Sequence, residues 1–452
     1  MIKPFAENEK LGAIKALLSP HLLSDEVKKE MNRFPSQAII GLGQGGGRIA
    51  AELSRFGFPT FLLNSSKSDM EEHKNLIPEN RRIVTSSKDY PELEGTDKDA
   101  RLGFEIAKEN KDLYASVALD DAIQDAEFVW VCVSLGGGTG NGALKVALTY
   151  LSKVRQNRAL PGGKIPLGVI CSLPSSDEKG SAFRKNALAG ISVIQQLMNE
   201  SKMGTAIVID NEKMNDYYAH SPLKTYGGTE IDAKSYSNMV IASALAEVSS
   251  LPLLDGRSVF DKTELLTTLS TPGWLSISKH KDLKNDEDIE SVIGNLFNNN
   301  EVLANYKVQN AIAGAVAVLY PTTKNISPKI ADDVYRYTSK LLNTKVNLSI
   351  SKNSKMESLA LYGLAVYLTP SIRIQQLKEE LKQWEQIEKE QEEAKKQAAS
   401  SIGLDEFEDF FSSPNMAKGR KKLTLTDLDE DFEETMKESK KIIAADLNDI
   451  DF

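Results

Sequence analysis

Two glycine-dense segments, each at the end of an apolar run, constrain this chain more than any other feature. Gly41-Leu42-Gly43-Gln44-Gly45-Gly46-Gly47 closes the run that starts at Gln37, and Gly136-Gly137-Gly138-Thr139-Gly140-Asn141-Gly142 follows Phe128–Val133. Each segment leads into a helical pattern, so each marks a turn from strand to helix. At such a turn unpaired backbone N–H groups and the positive end of the helix dipole face outward and hold anions. Glycine lets the backbone take positive φ and approach phosphate oxygens with no Cβ in the way. Two such turns in one α/β unit predict a nucleoside di- or triphosphate held from both sides.

The surrounding pattern predicts the frame for these turns. Strand-like runs at Gln37–Leu42, Thr60–Leu63, Arg82–Val84, Phe128–Val133, Leu167–Leu173 and Ala206–Ile209 alternate with helical stretches. Near-continuous apolar strands of this kind belong to a parallel sheet covered on both faces, whose ligands lie at the carboxyl ends of the strands. A long helical stretch, about 233–249, leads to a second pattern. It has strands at Trp274–Ser278, Asn310–Leu319, Val346–Ser351 and Leu359–Leu368, with helices near 286–299 and 328–342.

The expected fold class is therefore α/β. It comprises a doubly wound parallel-sheet domain (36–232), a central helix (233–251) and a smaller α+β domain with a four-stranded sheet (252–370). A charged C-terminal helix (371–400) follows, with the apolar stripe Leu377, Leu381, Trp384 and Ile387. Residues 1–35 read as a helical extension, either packed on the main domain or reaching a neighbour. Residues 401–452 mix acidic-aromatic clusters with the basic run Lys418-Gly419-Arg420-Lys421-Lys422, a composition that predicts a disordered acidic tail, solvated or partner-binding.

Composition narrows the chemistry. A net charge of −9 over 452 residues argues against broad nucleic-acid binding. Cys132 and Cys171, the two cysteines, fall inside expected buried strands and suit small core residues in a reducing compartment. The four histidines show no metal-ligand spacing. With no signal-like start and no bilayer-length apolar run, the expectation is a cytoplasmic protein with no membrane partner.

A Walker-type loop needs Gly-Lys-Ser/Thr, and Gly142 is followed by Ala143. A dinucleotide fold is the competitor, because Gly41, Gly43 and Gly46 fit G-x-G-x-x-G. It expects an acid at the end of the second strand, where Asn64-Ser65-Ser66-Lys67 stands, and it leaves Gly136–Gly142 without a purpose.

Gly-Gly-Gly-Thr-Gly-Asn-Gly resembles the signature of the tubulin/FtsZ superfamily, and further segments resemble that family in order. Gly43-Gln44-x-Gly46-x-x-Ile49 is similar to its first phosphate loop, Asn64 to Asp69 to its second, and Gly95 to Gly103 to the loop that senses the γ-phosphate. Asp210-Asn211-Glu212-Lys213 is similar to a segment near the ribose. The TubZ-like plasmid and phage tubulins are the branch most resembled, through Ser235-Tyr236-Ser237-Asn238, Phe260-Asp261-x-x-Glu264 and Thr271-Pro272-Gly273-x-Leu275-Ser276.

The resemblance implies a GTPase that assembles head to tail, holds GTP, GDP and Mg²⁺, and hydrolyses GTP in the filament. It implies nucleotide contacts from Gly43, Gln44, Gly45, Gly46, Asn64, Ser65, Ser66, Gly136, Gly137, Gly138, Thr139, Gly140 and Asn141. Lys98 would offset phosphate charge, Glu178 would meet the ribose, and Arg184 would face the phosphates. Asn211 would lie near the ribose and Asn238 against the guanine edge. Tyr236 would either stack on the base or pack its helix. No protein metal ligand is expected, since phosphate and water supply most of a Mg²⁺ shell. Asp261 and Glu264, at i and i+3, share a helix face and read either as a helix cap or as acids inserted into a neighbour's pocket.

The tail sets the expected role. Its short basic run would bind DNA weakly amid so much acid. A DNA-binding adaptor on the acidic tail, as the resemblance implies, points to segregation of plasmid or phage DNA. A cell-division cytoskeletal GTPase is the alternative, and an NAD(P)-dependent oxidoreductase is a distant one.

Overall fold

A computed structural model describes residues 33–402, apart from 221, 223, 225–227, 229, 255, 259, 284–286, 300, 325 and 354–357. The expected N-terminal extension and the tail with its basic run lie almost wholly outside the described residues.

Eleven strands form one sheet: β1 (Gln37–Leu42), β2 (Thr60–Asn64), β3 (Arg82–Val84), β4 (Phe128–Ser134), β5 (Leu167–Leu173), β6 (Thr205–Asp210), β7 (Gly256–Ser258), β8 (Gly273–Leu283), β9 (Ala311–Pro321), β10 (Val346–Asn353) and β11 (Leu359–Tyr367). Their order is β3-β2-β1-β4-β5-β6-β8-β11-β9-β10-β7. From β3 to β6 every pairing is parallel. Side chains alternate between faces at the strand period of two. Val129, Val131 and Val133 of β4 pack with Leu144, Leu148, Ile191 and Ile194 on one face. Phe128, Trp130 and Cys132 pack with Ile49, Leu53, Val240 and Leu245 on the other. Helices on both faces explain why these strands are apolar throughout.

The sheet continues without a break. β6 pairs in parallel with β8 through Thr205↔Gly273 and Ala206↔Trp274. The four strands β8, β11, β9 and β10 follow, antiparallel at β8-β11-β9 and parallel at β9-β10. Helices Ile289–Asn298 and Pro328–Leu342 cover them through Ile293, Leu296, Phe297 and Val334.

The helix Ala233–Ser250, capped by Asp232 on the N–H groups of Lys234 and Ser235, is buried around most of its circumference. That suits a helix enclosed by the fold. Glu247 on this helix accepts from Lys279 Nζ of β8 at 2.6 Å and from the Tyr362 hydroxyl of β11 at 2.7 Å. A buried charge is tolerated in such a setting because it is both paired and hydrogen-bonded. The C-terminal helix, Arg373–Ile402, buries Ile374 and Leu377; the stripe then fades through half-buried Leu381 and Trp384 to exposed Ile387. Among the described residues no helix is long and apolar enough to cross a membrane.

Candidate functional site

Five neighbouring strands deliver the expected nucleotide residues to one edge of the sheet. Gly43 follows β1, Asn64 ends β2, Gly136 follows β4, Glu178 follows β5 and Asn211 follows β6. Since β2, β1, β4, β5 and β6 run parallel, all of these lie at carboxyl ends. Ligands of open α/β sheets bind at that edge.

The two glycine loops lie backbone against backbone. Gly43 has φ +64°, and a Cβ there would sit 2.7 Å from the Gly140 nitrogen. A Cβ on Gly140 would strike the Leu42 carbonyl. The helices they open, Gly43–Ser54 and Thr139–Arg155, start with no side-chain cap and no acid in the first turn. Asp99, Asp120, Asp232 and Asp288 each cap a helix elsewhere, while Lys111–Ala118 and Ser181–Asn199 also start without a side-chain cap. The first-turn N–H groups of the glycine-loop helices are thus left for an external acceptor, and an anion supplies one.

Side chains tie the remaining loops to this pair. Thr139 Oγ1 lies 3.1 Å from Ser65 Oγ and 3.3 Å from Thr96 Oγ1, bringing three loops to one hydroxyl cluster. Asp69 accepts from Gln44 Nε2 at 2.7 Å and from Asn64 Nδ2 at 3.0 Å, joining the first phosphate loop to the second. Ser66 caps the short helix Lys67–Glu71 through the Asp69 N–H. Asp97 and Lys98 take left-handed backbone conformations, φ 43° and 67°, and the Lys98 amine lies over Phe183 at 4.7 Å. Asn186, which the sequence reading did not single out, donates to the carbonyls of Lys98 at 2.8 Å and Gly136 at 3.2 Å. Its own carbonyl accepts from Asn141 Nδ2 at 2.7 Å.

The outer residues are distributed unevenly. Glu178 pairs with Lys234 at 3.1 Å and accepts from the Ser175 N–H. Arg184 is fully buried, and it donates to Glu380 and to the carbonyls of Ser175, Glu178 and Gly180, not to groups of the glycine loops. Asn211 opens the helix Asn211–His220. Tyr236 is buried with its ring packed on Tyr217 and Tyr218, and Asn238 is half-buried two residues further on. Beneath them, burial pushes Asp210 up to about 6 against the pull of Arg373. Burial likewise lowers Lys213 and raises its partner Glu301.

Asp261 and Glu264 form a capping box: Asp261 Oδ1 accepts from the Glu264 N–H at 2.8 Å, and Glu264 Oε2 from the Asp261 N–H at 3.3 Å. Their helix, Lys262–Leu269, lies where the strands begin. Lys262 pairs at 2.7 Å with Glu127, which immediately precedes β4 and also accepts from the Ser36 N–H just before β1. At its far end, Ser270 packs on Gly204, just before β6, where a Cβ would come within 2.6 Å of the Ser270 Cα. The acids and the glycine loops therefore stand at opposite edges, separated by the length of β4, roughly 20 Å at ~3.3 Å per residue. The helix Ala233–Ser250 runs between the two edges, with Lys234 on Glu178 at one end and Ser249 Oγ accepting from Gln37 Nε2 at the other.

The pocket edge fits a polyphosphate: uncapped helix starts, glycines that admit close approach, and converging hydroxyls. Among the described residues no group of three or more His, Cys, Asp or Glu side chains is placed to hold a metal ion.

No family model matches the chain. Its sequence is similar to the tubulin-like protein TubZ of Bacillus cereus, 27% identical over 288 residues, 60% of this chain and 61% of that protein. The match thus spans less than two thirds of that relative. Its structure is similar to TubZ of Bacillus thuringiensis serovar israelensis in GDP-form protofilaments, with TM-score 0.65 and 20% identity over 89% of this chain and 100% of that one. It is also similar to CetZ2 from Haloferax volcanii as a GTPγS-bound protofilament, with TM-score 0.60 and 20% identity over 78% and 99% of the two chains. At that identity the structural likenesses show the fold.

Proposed function

The chain belongs to the tubulin/FtsZ superfamily, and on that premise we propose that it is a filament-forming GTPase whose active site is completed between subunits. One observation carries the reading. The phosphate-binding edge and the Asp261–Glu264 pair lie at opposite ends of β4, so a single copy cannot bring them together. Head-to-tail stacking sets the acids of one copy over the glycine loops of the next.

In this mechanism the amides that open Gly43–Ser54 and Thr139–Arg155 bind the phosphates, and Thr139, Ser65 and Thr96 orient them. Asp69 holds Gln44 and Asn64 in place. Lys98 offsets developing charge, Glu178 and Asn211 serve the ribose, and Asn238 the base. Asp261 and Glu264 of the adjoining copy orient and polarise the attacking water. Positioning and electrostatics of this kind supply most of the catalysis in phosphoryl transfer. Bound Mg²⁺ would neutralise phosphate charge, with phosphate and water filling its octahedral shell. GDP is the product that remains.

The finer role we favour is segregation of plasmid or phage DNA in the cytoplasm, through a DNA-binding adaptor on the acidic tail. Sequence similarity to TubZ and the tail's composition support it. Likeness to a CetZ protofilament supports a cytoskeletal GTPase as the second reading. The dinucleotide alternative loses its support where the second glycine loop packs on the first.

The test is light scattering and electron microscopy of the purified protein with GTP. A GTP-dependent rise with visible filaments, followed by decay, supports the proposal. No assembly with either GTP or GTPγS refutes it.

A further inference from the structure

Two buried arginines grip the loop after β5 by its own carbonyls. Arg184 donates to the carbonyls of Ser175, at 2.9 Å, and Glu178; Arg373 donates to that of Pro174 at 3.0 Å. One carboxylate serves both guanidinium groups. Glu380 Oε2 accepts from Arg184 Nε at 3.0 Å and Nη2 at 2.9 Å, while Oε1 accepts from Arg373 Nη1. Arg373 and Glu380 share the C-terminal helix, at i and i+7, which places them two turns apart on one face. The loop is thereby fastened to that helix. It carries Glu178, and its Pro174 lies against Gly136, where a Cβ would stand 3.5 Å from the Pro174 Cβ.

The two arginines do not depend on Glu380 equally. Arg373 also has Asp210 at 3.6 Å and Glu212 at 3.8 Å. For Arg184, Glu380 is the ion-pair partner found among the described residues, and the Arg184 side chain is 1% exposed. Removing the Glu380 charge leaves a buried guanidinium unpaired, a state that costs far more than a surface pair. Arg184 relieves it by moving toward water, and the carbonyls of Ser175 and Glu178 move with it.

We propose that Glu380 is a positioning residue for the nucleotide site: through it, docking of the C-terminal helix sets the loop Pro174–Gly180 and the Glu178 carboxylate. This rests on the reading of that edge as a GTP site. Coupling of this kind is reciprocal, so bound nucleotide also holds the helix down, and a partner that draws the helix away lowers nucleotide affinity.

The experiment uses the full chain with Glu380→Gln, close in shape but uncharged, and Glu385→Ala as control. Glu385 pairs with Lys185 at 3.2 Å, joining the C-terminal helix to the helix Ser181–Asn199 that also carries Arg184, but away from the loop. Hydrogen exchange without nucleotide should quicken at the amides of 175–180 in Glu380→Gln and leave β5 unchanged. Affinity for a fluorescent GDP analogue should fall about tenfold, within the usual span of coupling between linked sites. That loss should be non-additive with the loss from Glu178→Ala. Unchanged loop exchange in Glu380→Gln, or an equal effect from Glu385→Ala, overturns the proposal. Failure of the unaltered protein to bind the analogue refutes the GTP reading instead, and the exchange arm still decides the role of Glu380.

Discussion

Lys262 Nζ lies 2.7 Å from Glu127 Oε1, and that pair pins the acid-bearing helix where β4 begins, while the Gly136–Gly142 loop stands where β4 ends. The pair is partly exposed, with side chains 27% and 32% accessible, so its value is in location more than in stability.

Asp261 and Glu264 cap their own helix, and the proposed catalytic duty has to be separated from that local one. Asn is as good a cap as Asp, whereas Ala costs about 1 kcal/mol. Asp261→Asn should therefore keep the melting temperature and still assemble with GTP, while phosphate release falls about a hundredfold, the low end for loss of a general base. Glu264→Gln should behave alike. Normal turnover in both variants would leave the acids as caps and nothing more.

Gly140→Ala directs a methyl at the Leu42 carbonyl. The loops cannot keep their contact, so nucleotide binding should be lost, and stability should drop by about 1–3 kcal/mol as in other overpacked sites. Isothermal calorimetry with GDP and a urea titration check the two parts. A variant that binds GDP as before would show that the loops need not touch.

Asp69 orients two amides and touches no expected phosphate itself. Asp69→Ala should weaken GTP binding about tenfold, near 1.4 kcal/mol, through the release of Gln44 and Asn64. The Ser66 cap is made on the Asp69 backbone N–H, which alanine keeps, so helix content followed by circular dichroism should not change. Unaltered affinity would mean the Gln44 and Asn64 side chains do not bear on the nucleotide.

Asp210 gives a pH signature. Burial pushes its carboxyl from 3.8 to about 6. The native chain holds this proton more tightly than the unfolded one, so the contribution favours the fold below pH 4 and is lost as pH rises through 6. Asp210→Asn keeps an acceptor for the Glu212 and Lys213 N–H groups and removes the titration. Stability of the unaltered protein relative to this variant should fall by about 2 kcal/mol from pH 4 to pH 7, most of the full linkage at 1.36 kcal/mol per pKa unit. Urea titrations at the two pH values decide it, and a difference independent of pH would contradict the assignment.

What could be read from sequence was what local chemistry dictates. β1, β5 and the helix Pro328–Leu342 stand where period and apolar runs set them, and the glycine loops announced themselves because close backbone approach requires glycine. β8 runs five residues past Ser278, through Lys279-His280-Lys281-Asp282, which looks like a loop until Glu247 and Tyr362 receive the Lys279 amine. β7 is three residues with no apolar alternation, and among the described residues it pairs with β10 alone. Asn186 and Glu380 carried no signal, one in mid-helix and the other in a run of lysines and glutamates that resembles a solvated face. Their roles come from partners far away in the chain.

Complementation tests the two-copy site most directly. Gly140→Ala supplies intact acids and a spoiled pocket; Asp261→Asn with Glu264→Gln supplies an intact pocket and spoiled acids. Each alone should release almost no phosphate from GTP. Mixed in equal amounts and shown to co-sediment, they should recover a measurable share of turnover, because some junctions then pair a sound pocket with sound acids. Co-sedimenting mixtures that hydrolyse no more GTP than their separate parents would contradict an active site shared between copies.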